Sequence, residues 1–433
     1  MVLFLYNLAL LLVLLLGSPW WLWQMAATRK YREGLSERLG RIPIRLQQWL
    51  LDAADHRPVI WLHAVSVGEV LAVSRLVSEL EFALPDYRLV LSTTTRTGQA
   101  LARQRFGSHR VFYCPLDLPW AVSSWLNTLR PAMLILAETE FWPNLLSGCF
   151  RRGIPIAVVN ARISDRSWPR YQRLRSLWKP WLSRLAAVLA QSELDAQRLS
   201  GLGCTAVTVT GNLKFDVRAS EESGATQLLK TRASHLRLLV AGSTLEGEEE
   251  LLFSAWTTLT STPQQIPLAM VLAPRHPERF LAIAALLGRS RFRWRLRSTW
   301  GNAPEPLIAG EIVLLDTIGE LASVYSQAAV AFVGGSLIPA GGHNPLEPAQ
   351  FAVPTIMGPH YSNFRGVVEA LIKGNGIAIT SSTDLPSALA SLLHDQAAAS
   401  EMGKHARQIF EAQAGASART VEAIRQLLTR GTA

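Results

Sequence analysis

Short apolar runs, most of them followed by a turn and then a helix-like stretch, recur along this chain and limit the folds open to it. They fall at 59–64, 89–92, 111–113, 133–137, 157–160, 188–190 and 207–210, and again at 236–241, 268–273, 312–315, 330–333, 354–357 and 377–380. A strand covered on both faces is apolar throughout rather than alternating, and a parallel neighbour requires a crossover that is usually a helix. The pattern therefore predicts an α/β chain of βα units with parallel sheets. It breaks after Asp216, where residues 218–224 are polar and read as a linker. Two α/β halves follow, 28–217 and 218–433. The tail from about residue 397 reads as helix, free to pack back on the first half. Such halves leave a cleft between them, a common ligand site.

A length of 433 residues exceeds one ordinary core, and 49% hydrophobic against 18% charged residues excludes wholesale disorder. The net charge of +10 favours anionic partners, whether nucleic acid, anionic membrane or phosphorylated substrate, without choosing among them. Cys114, Cys149 and Cys204 lie far apart and read as small core residues in a reducing compartment.

From Val2 to Trp23 there is no charged residue, and only Asn7 and Ser18 are clearly polar. As a helix rising ~1.5 Å per residue the run reaches roughly 33 Å, enough for a hydrocarbon layer of about 30 Å. Trp20, Trp21 and Trp23 would lie at the interface, followed by Arg29, Lys30, Arg32, Arg38, Arg41 and Arg45. That asymmetry predicts an anchor over 1–27 with the rest of the chain in the cytoplasm. A cleaved signal peptide is the alternative, set against by the absence of a basic segment ahead of the run and by the tryptophans before Ala26 and Ala27.

No Walker A, GxGxxG, HExxH or GxSxG sequence is present. Polar residues gather instead where strands should end. In His63-Ala-Val-Ser66-Val-Gly68-Glu69 a carboxylate opens a helix, placed either to act as a general base or simply to meet the helix dipole. In Glu138-Thr139-Glu140-Phe-Trp142-Pro143-Asn144 two acids would share one side if the strand continued, and at least one should face the cleft; a surface pair ahead of a helix is the alternative. Lys214, in Gly211-Asn-Leu-Lys-Phe-Asp216, either offsets anionic charge or pairs with Asp216. The second half carries Pro274-Arg275-His276, Asp316-Thr-Ile318-Gly319-Glu320, Gly334-Gly335-Ser336 and Gly341-Gly342-His343-Asn344-Pro345-Leu346-Glu347. Free amides in such turns bind phosphate, Arg275 adds an anion contact, and Glu347 can accept from ribose hydroxyls. Scattered histidines, His63, His276, His343 and His360 among them, lack metal-ligand spacing. Trp168, Trp178 and Trp181, interleaved with Arg166, Arg170, Arg173, Arg175, Lys179 and Arg184, form a basic amphipathic stretch suited to a membrane surface, to acceptor phosphates, or to plain solvent.

Taken in order, YREGLSERLGR, LHAVSVGE, STTTRTG, PLDLP, ETEFWPN, NARISDRS, GNLKFD, STLEGEE, APRHPERF, DTIGEL, FVGGSLIPAGGHNPLEPA and MGPHYSNF resemble the Kdo (3-deoxy-D-manno-octulosonic acid) transferases of lipopolysaccharide biosynthesis over nearly the whole chain. The resemblance implies a GT-B architecture, two Rossmann-like domains with a cleft between them behind a transmembrane helix. The first domain would bind the acceptor lipid IVA, and the second the donor CMP-Kdo. It implies an inverting transfer without metal or cofactor, at the cytoplasmic side of the inner membrane, with no nucleic-acid partner. Glu69 would be the general base, and Glu138 and Lys214 the transition-state stabilisers. Pro274, Arg275, Ile318, Gly319, Glu320, Asn344, Pro345, Leu346 and Glu347 would bind CMP-Kdo. Ile318 stands where the family often has methionine, a change that backbone contacts survive. Two other readings are a GT-B transferase using a UDP-sugar and an envelope lipid, and a non-catalytic nucleotide-sugar binder at the membrane.

Overall fold

The computed structural model describes residues 2–28, 32–52, 55–261, 267–300 and 305–431. Of the basic residues that follow the apolar run, Arg29 and Lys30 lie outside the described residues. The chain divides into two units, Met1–Val217 with Ala414–Ala433, and Arg218–Gln413.

Seven strands build the sheet of the first unit: β1 (Val59–His63), β2 (Arg88–Thr93), β3 (Val111–Tyr113), β4 (Met133–Ala137), β5 (Ile156–Ala161), β6 (Ala187–Ala190) and β7 (Val207–Val209). Their order is β3-β2-β1-β4-β5-β6-β7 and all pairs are parallel. Every residue of β1, β2 and β4 is buried, which is why β4 is apolar throughout and the polar residues of the other two, His63 of β1 and Arg88, Ser92 and Thr93 of β2, stand at the strand ends. One face packs Trp61, Phe112, Trp125 and Leu146 into a core; the other packs Leu62, Leu76, Ile135 and Ile424. Ile424 comes from the last helix, Ala416–Gly431, which lies against the helix Val67–Ala83. Asp216 fixes the start of that last helix, accepting from the amides of Gly415 and Ser417 at 2.5 Å each.

The second unit repeats the scheme with β8 (Arg237–Thr244), β9 (Leu268–Pro274), β10 (Trp294–Leu296), β11 (Ile312–Leu314), β12 (Val330–Val333), β13 (Thr355–Met357) and β14 (Ala378–Ile379), in the order β10-β11-β9-β8-β12-β13-β14, again all parallel. β10 falls outside the pattern of apolar runs. It is an edge strand, half-exposed, in a stretch where arginine alternates with Phe292, Trp294 and Leu296, so no continuous apolar run marks it.

In each sheet the first strand in sequence lies inside the sheet, and the connections reverse direction beside it. That switch point falls between β1 and β4 in the first unit and between β8 and β12 in the second. Ligands of open α/β sheets bind beyond the carboxyl ends of the strands at this place.

A single helix among the described residues, Val2–Thr28, is long and apolar enough to cross a membrane, over Val2–Trp21. Val2 and Leu3 pack against the first unit's core, and Asn7 Oδ1 accepts from Asn144 Nδ2 at 2.7 Å.

Candidate active site

The turn after β1 and the turn after β4 bring the first unit's acids to its switch point. Ser66 caps the helix Val67–Ala83, and Glu69 reaches back over the cap as in a Ser-x-x-Glu capping box, but to the amide of Val65 and the hydroxyl of Ser66, not to the Ser66 amide. Its Oε2 accepts from the amide of Val65 at 2.7 Å, and its Oε1 from Ser66 Oγ at 2.9 Å. Glu69 therefore stabilises its helix while holding a fixed carboxylate beside the sheet end. Burial, leaving 9% of it exposed, pushes its pKa up to about 7; the Val65 and Ser66 hydrogen bonds oppose the rise, and the charges of Glu138 and Glu140 add to it. A carboxyl near pH 7 is poised to take and release a proton.

Glu138 does not continue β4. Its φ is +58°, a left-handed conformation costly for a side chain with Cβ, and this ends the strand at Ala137. Glu138 and Glu140 therefore do not share one face of a strand as alternation predicts. The Glu138 amide still donates to Val159 of β5 at 2.9 Å. Burial first, and then Glu138, raises the pKa of Glu140. The helix after this turn, Pro143–Arg151, starts at a proline, as expected, but its orphan amides at Asn144 and Leu145 are taken by Asp117 at 2.9 and 2.8 Å.

Lys214 sits on the short 3₁₀ turn Leu213–Asp216. Asn212 Oδ1 accepts from its amide at 3.0 Å, and Asn160 Oδ1 accepts from the Leu213 amide at 3.0 Å. Burial lowers the Lys214 pKa, Arg162 adds to that, and Glu138 and Glu69 pull it back. Lys214 thus shares a field with both acids, while the Asp216 carboxylate is committed to the last helix. Asn160 holds this turn from the end of β5 at φ +54° and is almost fully buried. Neither Asn160 nor Asp117 stands out in the sequence: Asn160 is a polar residue at the end of β5, and Asp117 lies in the loop beyond β3 with no local partner among the described residues.

His63 is fully buried, its Nδ1 2.8 Å from Ser92 Oγ, and burial lowers its pKa to about 4, so it is a neutral core residue. Among the described residues no group of three or more His, Cys, Asp or Glu converges as a metal site. The tryptophans of the basic stretch turn inward. Trp181 is buried with its Nε1 donating to Ser147 at 2.7 Å, and Trp168 and Trp178 pack on the core. Arg166, Arg170, Arg173, Arg175, Lys179 and Arg184 stay exposed.

In the second unit, the predicted donor residues lie on turns after β9, β11 and β12. Pro274 ends β9, and the exposed Arg275 is tied through its amide to Thr244 O at 3.0 Å. Ile318 is 79% exposed, beside Gly319 at φ +86°. The oxygens of Glu320 are engaged within the unit, accepting from the Ala225 amide at 2.7 Å, from Arg297 at 2.9 Å and from Thr317. These contacts outweigh burial and hold its pKa below the usual carboxylate value. Ahead of the short helix Leu346–Ala349, Asn344 Oδ1 accepts from the Leu346 amide at 3.1 Å and its Nδ2 donates to Glu347 at 3.4 Å; Pro345 and Leu346 are buried. Burial raises the Glu347 pKa, opposed by Asn344 and Arg275.

One expectation fails. The amides after Gly334 are not open to a phosphate: those of Gly335, Ser336 and Leu337 donate at 2.6, 2.9 and 3.0 Å to the carboxylate of Glu248, a fully buried residue that sequence reading did not single out.

A family model described as 3-deoxy-D-manno-octulosonic-acid transferase (kdotransferase) matches residues 33–217. The 3-deoxy-D-manno-octulosonic acid transferase of Haemophilus influenzae is 33% identical over 415 residues, covering 93% of each chain. That of Bordetella pertussis is 34% identical over 420 residues, covering 94% of this chain and 95% of the relative. In fold the chain is similar to the UDP-GlcNAc 2-epimerase from Neisseria meningitidis, with a TM-score of 0.58 at 12% identity over 85% of this chain and 100% of that one. Two parallel seven-stranded units of this kind, with matches of that length to the transferases, mean that the chain belongs to the 3-deoxy-D-manno-octulosonic acid transferase family, glycosyltransferases of the GT-B fold.

Proposed function

We propose that this glycosyltransferase moves Kdo from CMP-Kdo to the lipid A precursor lipid IVA, with inversion and without a metal ion, at the cytoplasmic side of the inner membrane. The first unit binds the acceptor and the second the donor. Glu69 removes the proton from the acceptor hydroxyl as that oxygen attacks the anomeric carbon of Kdo. The bond from that carbon to the phosphate oxygen breaks, and CMP leaves with the electron pair. A single displacement of this kind inverts the anomeric centre. Positive charge that develops on the sugar is met by Glu138, and the departing anion by Lys214. In the donor unit, Pro274, Arg275, Ile318, Gly319, Glu320, Asn344, Pro345, Leu346 and Glu347 form the nucleotide site, Ile318 and Gly319 through backbone and Glu320, its oxygens engaged within the unit, by holding the turn they stand on.

The observation that carries this reading is Glu69: a carboxylate at a sheet's switch point, fixed by two hydrogen bonds and raised to about 7 by burial. The apolar helix and the exposed arginines of 166–184 support an anionic lipid acceptor at a membrane. The test is a product mass measurement after incubation with CMP-Kdo and the tetra-acylated precursor, with and without chelator. One added Kdo mass or more, unaffected by chelator and absent with UDP-sugars, is expected. Glu69→Gln should keep CMP affinity and lose transfer; transfer at the wild-type rate would sink the assignment of the base.

A further inference from the structure

The switch point of the second sheet is filled by the protein's own carboxylate. Glu248 opens the helix Glu248–Ser261 after β8 and has no solvent exposure. Its Oε2 accepts from the amides of Leu245 at 3.0 Å and Gly335 at 2.6 Å; its Oε1 accepts from those of Ser336 at 2.9 Å and Leu337 at 3.0 Å. Four converging amides make an anion nest of the kind that elsewhere holds a phosphate. The next residue, Glu249, is used differently, paired with Arg279 at 2.7 Å and with Thr244 at 2.8 Å.

The turn that Glu248 gathers is itself a scaffold. Gly335 O accepts from the Gly342 amide at 2.7 Å, and Gly334 O from the His343 amide at 3.1 Å. Ser336 Oγ accepts from Gly358 at 2.9 Å, and Ser336 O from His360 at 3.0 Å. Side chains are excluded from the turn: a Cβ on Gly334 would lie 2.5 Å from Ser243 O, and Gly335 has φ +68° with the His343 ring against it. Directly after His343 come Asn344, Pro345, Leu346 and Glu347.

We propose that Glu248 is a positioning residue of the donor site. Its carboxylate stands in for a bound anion in the turn 334–337, and through Gly342 and His343 it sets the segment 344–347 before any nucleotide arrives. It touches no ligand, being sealed beneath the turn. The consequence for the donor is that its phosphate is met by side chains and by other amides, not by those of 335–337. This rests on the reading of the second unit as the donor unit.

The test uses the full-length chain in detergent, with CMP as the binding probe and CMP-Kdo as substrate. Glu248→Gln keeps the volume but turns an N–H donor toward amides that are donors themselves. It should weaken CMP binding and raise KM for CMP-Kdo by roughly tenfold or more, the scale of one buried donor left unpaired, with a much smaller change in kcat. Glu248→Ala opens a carboxylate-sized space, and added formate should restore its CMP affinity while leaving wild type unaffected. A merely structural role would move thermal stability without formate rescue or a KM-directed effect. Wild-type hydrogen exchange supplies an arm free of any folding defect: the amides of 335–337 should be strongly protected without nucleotide and unchanged by CMP. Rapid exchange there without CMP, or a Glu248→Gln variant that binds CMP like wild type, overturns the positioning role alone. A wild-type chain that binds no CMP overturns the donor reading beneath it.

Discussion

The surroundings of Glu69 pull its proton in opposite directions, and the balance is measurable. Its hydrogen bonds to Val65 and Ser66 favour the ionised form, while burial and the charges of Glu138 and Glu140 favour the protonated one, and the balance is a pKa of about 7. In the proposed role of base Glu69 has to be ionised, so kcat/KM should rise with pH and level off above an inflection near 7. Glu138→Gln removes a neighbouring negative charge and should move that inflection down, as a pH–rate series would show. Stability runs the other way. A carboxyl whose folded pKa is raised contributes stability that is fully present below the unfolded value and is lost as pH rises through about 7. Glu69→Gln, unable to ionise, should therefore gain on wild type in thermal unfolding between pH 5 and pH 8, by up to ~3 kcal/mol, while losing transfer. A variant that is inactive and no more stable at pH 8 than at pH 5, relative to wild type, would contradict the assigned burial of charge.

At the scale of elements, the same sequence is uneven in what it discloses. Strands such as Met133–Ala137 and Val330–Val333 were legible because both faces are covered, so nothing polar interrupts them. The turns after them announced themselves by polar residues, and Glu69, Glu138 and Lys214 do share one electrostatic neighbourhood. What stayed hidden is pairing over distance. Glu248 meets Gly335 87 residues on, and Asp117 meets the Asn144 amide 27 residues on. No local periodicity encodes such partners, so the glycine-rich turn at 334–336 looked vacant when it is filled. The positive φ of Glu138 was equally unreadable, since nothing in the residue type calls for it. Asp117 gives this class of contact a test. The helix Pro143–Arg151 has no side-chain cap of its own, and Asp117 takes its amides at Asn144 and Leu145. Asp117→Ala should cost about 1–3 kcal/mol by leaving two buried donors unpaired, read as a fall in Tm. Asp117→Asn, which keeps one acceptor oxygen, should recover part of it.

For the molecule as a whole, the helix Val2–Thr28 raises a contest between two environments. Asn7 bonds to Asn144, and Val2 and Leu3 rest on the first unit's core, contacts that hold the start of the helix against the protein. Against them stands an apolar face open to solvent, with Phe4 70%, Leu15 61% and Leu16 81% exposed and Leu5, Leu8, Leu11, Leu12 and Val13 about half exposed. The Asn7 hydrogen bond contributes about 1 kcal/mol and that of Tyr6 to the Asp117 carboxylate about 1.5–3 kcal/mol, whereas covering the open part of each of these side chains contributes about 1–2 kcal/mol. The lipid term is larger several-fold, and we predict on that ground that a bilayer takes this helix and that the contacts of its first turns yield to it. The chain offers a clean readout, because Cys114, Cys149 and Cys204 are all buried and burial pushes their thiols up to about 12, far from reactive. A single cysteine introduced as Val2→Cys therefore reports on its own. In intact spheroplasts an impermeant maleimide should label it from outside, while Ser36→Cys, on the basic side of the helix, should react only after lysis. Labelling of Val2→Cys only after lysis would mean that the helix keeps its hold on Asn144 and lies along one face of the membrane without crossing it.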